Sequence, residues 1–151
     1  MKRRVLLFVA FGCLGTTTEV FFTGLTNALT RFARLSILDL TLVGTSYVWM
    51  FFIYGTGSIL FPSVYRYSRK YRTPIRLLLY SVVIFAVEFV TGFLLDFTIG
   101  HCPWEYHTKW SVFGYIRLDY IFYWMFFGFV FEKIYLFLDG LVDRLPTLPA
   151  S

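Results

Sequence analysis

Charge is scarce in this sequence. Its 151 residues include 14 Lys and Arg and nine Asp and Glu, 15% in all, where a soluble domain carries roughly a quarter. An ordinary soluble fold is disfavoured, and 58% apolar with 23% aromatic residues excludes disorder. Histidine and cysteine are nearly absent, with two of each. His101 and Cys102 are adjacent and His107 follows, but neither a His-Glu-x-x-His pattern nor a Cys-x-x-Cys pair exists, so no metal site is expected. Cys13 lies inside an apolar run and Cys102 between two runs, at depths too different for a disulfide. No Lys follows a Gly, which excludes a Walker-type phosphate loop, and a dinucleotide fingerprint is absent. Ser58, Ser63 and Ser81 have no His at a plausible depth, which disfavours a serine hydrolase. No cofactor is expected, and an enzyme is the less favoured reading.

What the sequence has instead is apolar length. Four runs, roughly 5–30, 41–65, 75–97 and 115–138, can each cross a hydrocarbon layer about 30 Å thick, which takes about 20 helical residues. The breaks carry Arg31, Arg34 and Asp39, then Arg66 to Arg76 with Pro74, then Gly100, Pro103 and Gly114. The runs lack the period-two alternation of barrel strands, and lipid offers no partners to backbone amides, so each span is expected to be a helix. The expected fold is all-α: a polytopic membrane protein with one four-helix domain, 1–138, and a cytoplasmic tail, 139–151, containing Pro146 and Pro149.

The cations indicate orientation. With the N-terminus in the cytoplasm, ten lie inside (Lys2, Arg3, Arg4, Arg66, Arg69, Lys70, Arg72, Arg76, Lys133, Arg144) and four outside (Arg31, Arg34, Lys109, Arg117). Both termini are therefore expected in the cytoplasm, with the chain in the plasma (inner) membrane. The net charge of +5 reads as topology and attraction to membrane lipids, not to nucleic acid. The start, MKRRVLLFVAFGC, imitates a secretory signal with a lipobox-like Cys13, but its apolar run resumes past Thr18. An uncleaved first helix is expected.

Against this apolar background, Glu19 and Glu88 carry the most information. A charged carboxylate in mid-span costs about 2.5–3.5 kcal/mol on the lenient insertion scales. Glu88 shares a helical face with Gly92 and Asp96, and Glu19 has Gly15 and Thr16 one turn before it and Thr23 one turn after. Small residues let another helix approach, so both carboxylates are expected to point into the bundle. Two readings stand: a proton, cation or polar-substrate site, or structural glutamates bonded to Tyr, Trp or Arg. EVFFTG at Glu19 to Gly24 echoes EFVTG at Glu88 to Gly92, and WMFF occurs at Trp49 and again at Trp124. A two-helix repeat with parallel copies would make Glu19 and Glu88 equivalent.

A second polar group lies toward the outer face. Asp96, His101, Cys102, Glu105, His107, Arg117 and Asp119 fall within 24 positions. Arg117, early in the fourth helix, either neutralises Asp96 or grips an anionic headgroup or substrate. At 100° per residue, Arg117 and Asp119 stand about 200° apart and cannot face one site. Trp104, Tyr106 and Trp110 read as an aromatic belt at the headgroup level. Tyr54 and Trp124 read as packing residues or as walls of a ligand site.

The run GTSYVWMFFIYG, then VEFVTGFLLD, GHCPWEY and GYIRLDY followed by Trp124, resembles the transmembrane-protein-229 family and the bacterial CmpB-type proteins catalogued as ABC-transporter permeases. The resemblance covers roughly 12 to 135. Family members usually have Asp where this chain has Glu105. The resemblance implies a small polytopic membrane protein, with permease as its catalogue role. An ABC permease needs more spans and a coupling surface, so that role implies a homo-oligomer or a partner ATPase. Three functions remain: a transporter or permease subunit moving a polar or ionic solute, a membrane enzyme or lipid-binding module near the outer headgroups, and a structural assembly factor.

Overall fold

The computed structural model describes residues 2–35 and 41–144. Asp39, Pro146, Pro149 and the tail beyond 144 lie outside the described residues. Four helices carry the chain: α1 (Lys2–Leu35), α2 (Val48–Ser68), α3 (Thr73–Ile99) and α4 (Ile121–Arg144). Each contains a window apolar enough to cross a membrane, with mean hydropathy of 1.3–2.2. Only 11–17% of each window is buried inside the protein, and the largest exposed side chains include Phe97 and Phe122. Helices this apolar with so little protein cover have lipid as their natural solvent. The chain is an all-α, multi-pass membrane protein.

Two boundaries differ from the expectation. Residues 41–47, read as the start of the second span, are not helical. They run beside α1, which contributes a side-chain bond at successive turns. Arg31 Nη2 donates to the Thr41 carbonyl. Asn27 Nδ2 donates to Val43 O at 2.8 Å, and the Thr23 hydroxyl both donates to Thr45 O and accepts from Thr45 N–H. These α1 residues recur every fourth position and so share one face, while Leu42 and Val43 are apolar enough to pass for span residues in a linear reading. Gly44 is needed here, because a Cβ would collide with the Val20 backbone.

The second difference lies at 115–120, read as the start of the fourth span. There the chain forms an antiparallel pair, β1 (Ser111–Val112) with β2 (Ile116–Arg117), followed by a 3-10 turn at Leu118–Tyr120. Phe113 and Gly114 both have positive φ, and Tyr115 N–H closes the turn on Val112 O at 3.1 Å. At its other end α4 continues past the expected limit of 138 to Arg144.

The chain divides into two compact units, 1–60 and 61–151. The division falls within α2, just before Pro62, whose missing N–H leaves one helical carbonyl without its usual donor. In the first unit α1 meets the beginning of α2: the Tyr54 ring occupies the space a side chain would take at Gly15. In the second unit α3 and α4 are the principal pair. Gly128 of α4 lies against the Tyr80 side chain of α3, and Ser81 Oγ donates to Ile121 O at 3.3 Å. Phe61, Tyr80 and Tyr135 form an aromatic cluster with ring centroids 5.1–5.4 Å apart. Between helices in lipid such packing contacts replace the hydrophobic driving force available in water.

Candidate functional site

Glu88 sits in the middle of α3, whose ends are set by Pro74 in the first turn and by left-handed Gly100, with its N–H on Asp96 O. Its Oε1 accepts the Tyr106 hydroxyl at 3.3 Å. The Trp124 indole of α4 is the other polar neighbour of the carboxyl, yet Glu88 Oε2 and Trp124 Nε1 are both buried without a hydrogen-bond partner. The acceptor and the donor thus face each other, close enough to interact but outside good hydrogen-bond geometry. Buried polar groups are nearly always well paired, so a poorly formed pair keeps hydrogen-bonding capacity that a polar guest could use.

Tyr106 arrives from the loop between α3 and β1, where its N–H bonds Gly114 O at 2.8 Å. The expected headgroup belt therefore loses Tyr106 to the interior. Burial first, and then the Glu88 carboxyl, push its phenol above the ordinary range. It stays a neutral donor. Its ring meets Tyr120 edge-on, with centroids 5.8 Å apart. Tyr120 OH in turn accepts Arg117 Nη1 at 3.1 Å, and the guanidinium lies 4.3 Å over the Tyr120 ring. Glu88 is thereby linked through two tyrosines to Arg117 at the rim.

Arg117 is not in α4. It is extended, with φ −131° and ψ 104°, and it forks onto Asp119: Nε to Oδ1 at 2.9 Å and Nη2 to Oδ2 at 2.8 Å. The expectation that these two residues face apart fails because Arg117 is extended and precedes the 3-10 turn that carries Asp119, so the 100° step of an α-helix does not relate them. The Asp119 bond also holds the guanidinium above its usual range, and among the described residues the ion pair of Arg117 is with Asp119 and not with Asp96. Asp96 instead accepts the Tyr115 hydroxyl at 2.7 Å, and that bond raises the phenol. The approach expected at Gly92 is made by the hairpin, through Tyr115 and Cys102, and not by a helix.

Glu105 is exposed, 3.8 Å from His107 Nε2, and its side chain covers Gly114. Asp96, Glu105 and Arg117 therefore each have separate partners and do not form one headgroup clamp. Cys102 is buried, and burial raises its thiol; Cys13 is exposed.

In the first unit Glu19 Oε2 accepts Tyr54 OH at 3.0 Å and Ser46 Oγ at 3.1 Å. The sequence echo does not extend to these contacts. Trp49, which matches Trp124 in the WMFF echo, is exposed, and Glu19 is met by Tyr54, five residues further on. Equivalence of the two glutamates thus stops at their helices.

The sequence reading missed a third buried acid. Glu132 of α4 is 3% exposed. Its Oε2 lies 2.9 Å from Arg76 Nε and accepts Tyr80 OH at 2.8 Å, while Ser68 Oγ donates to Tyr80 OH at 3.3 Å. Arg76 was counted as a loop cation, though its spacing of four from Tyr80 puts both on one face, as Glu132 shares a face with Gly128. That shared spacing was the available signal.

No protein-family model matches the chain. No solved structure matches it either.

Proposed function

We propose that the protein is a small transport protein of the plasma membrane, with both termini cytoplasmic, that passes a polar or ionic solute through a site at Glu88. The observation that carries this reading is the buried pair of Glu88 Oε2 and Trp124 Nε1, adjacent but outside good hydrogen-bond geometry. A guest that donates to the carboxyl and accepts from the indole completes both groups at once. The Tyr106–Tyr120–Arg117 connection to the rim supplies polar contacts along an approach from the outer face. The excess of cations in the N-terminal segment and in 66–76 supports the orientation. A chain with four spans acts as a permease only by assembling with copies of itself or with an energy-supplying partner, and the basic turn between α2 and α3 is the available cytoplasmic surface for an ATPase.

Proton flux offers a test that needs no knowledge of the solute. Proteoliposomes loaded with a pH-sensitive dye and given a potassium diffusion potential should show a protein-dependent flux that Glu88→Gln abolishes. Undiminished flux in a folded Glu88→Gln protein would remove Glu88 from the pathway.

A further inference from the structure

The bonded face of α1 ends, on its way toward mid-helix, in a group of oxygens that the Glu88 reading leaves unused. Glu19 Oε2 takes the Ser46 and Tyr54 hydroxyls, while Oε1 accepts no hydrogen bond among the described residues. One turn earlier on the same face, the Thr16 hydroxyl is buried without a partner. Beside Glu19 runs the non-helical backbone of 44–46, whose Ser46 bonds the carboxylate and whose Thr45 carbonyl takes the Thr23 hydroxyl. Two to three turns along α1 from Glu19, a cavity of about 310 Å³ is lined by Asn27, Thr30, Arg31 and Val43.

We propose that Glu19, Thr16 and Ser46 bind one monovalent, sodium-sized cation, a site independent of Glu88. The donors are all oxygen, the choice of a hard cation, and among the described residues no three His, Cys, Asp or Glu side chains gather to suit a transition metal. There is one carboxylate, so a single positive charge neutralises the site. A divalent ion would leave an uncompensated charge in a poorly polarisable span. Non-helical backbone between membrane helices is tolerated where it serves a polar site, and backbone carbonyls are the usual complement to hydroxyls around sodium. The Ser46 hydroxyl, now turned to Glu19, keeps lone pairs for an ion. Tyr54, seated against Gly15, holds the carboxylate in place.

Thermal unfolding of the purified protein in sodium, potassium and choline chloride at equal ionic strength tests this. Saturating sodium should raise Tm by about 5 °C or more over choline. Thr16→Val is the decisive variant. It removes a hydroxyl that bonds nothing in the protein, so a purely structural role predicts equal or greater stability and no change in the sodium response. The proposed site predicts that sodium affinity, read from the same shift, falls about tenfold. Glu19→Gln should abolish the response, and equilibrium dialysis with radiolabelled sodium should find one ion per chain that choline does not displace. Equal Tm in all three salts with no ion retained overturns the proposal, as does a sodium shift undiminished in Thr16→Val. Glu88→Gln should leave the sodium shift intact, so this site and the Glu88 site fail separately.

Discussion

The two ends of the α3–α4 pair bury acids in opposite ways. Toward the α2–α3 turn, Glu132 holds a guanidinium and a phenol, and that phenol accepts a serine. Toward the hairpin, Glu88 has one long hydroxyl bond and an indole neighbour outside good hydrogen-bond geometry. A close ion pair backed by hydroxyls fixes two helices in one arrangement, whereas a loosely paired acid keeps polar capacity for a guest. The first end reads as architecture and the second as a site.

The sharpest way to break this contrast is to cut the paired end. Arg76→Ala strands a carboxylate that is 3% exposed and should cost about 3–5 kcal/mol, seen as a large drop in Tm. A drop no larger than that of a surface substitution would show that Glu132 is not held by Arg76. Tyr80→Phe is milder. It removes the 2.8 Å bond to Glu132 while leaving the ion pair, at about 1–2 kcal/mol, measurable by the same melt. At the other end, Trp124→Phe should cost least, because it deletes a donor whose contact with Glu88 lacks good hydrogen-bond geometry. Tm is expected to hold within about 1 °C or rise, while flux falls with that of Glu88→Gln. A melt that falls as far as in Arg76→Ala would mean that the indole is a structural tie, and the contrast between the two ends would collapse.

Sequence made the spans legible because their apolar runs are long and the polar residues between them few. It also placed Glu19 and Glu88 inward, since Gly15 and Gly92 mark faces where something packs closely, although at Gly92 the visitor is a hairpin. Other features were hidden for physical reasons. Residues 41–47 are as apolar as a helix start, and only tertiary bonds from Thr23, Asn27 and Arg31 hold them against α1 as non-helical backbone. The Arg117–Asp119 fork depends on where α4 begins, and a shift of a few residues in that boundary reverses the geometry. Arg76 and Glu132 were readable as one cation near a turn and one acid on a stripe, but nothing in a linear chain pairs residues from different helices. The unfilled state of Trp124 Nε1 is likewise a property of the fold.

The Arg76–Glu132 pair also bears on how the protein is made. Arg76 belongs to the first turn of α3 and Glu132 to the middle of α4, so the ribosome delivers the cation long before its acid. During that interval Arg76 stands without its acid, one more cation in the basic turn between α2 and α3. In the finished protein the same guanidinium is withdrawn to 17% exposure. A cation that belongs to a basic turn in the growing chain is thus a clasp between two helices in the folded one.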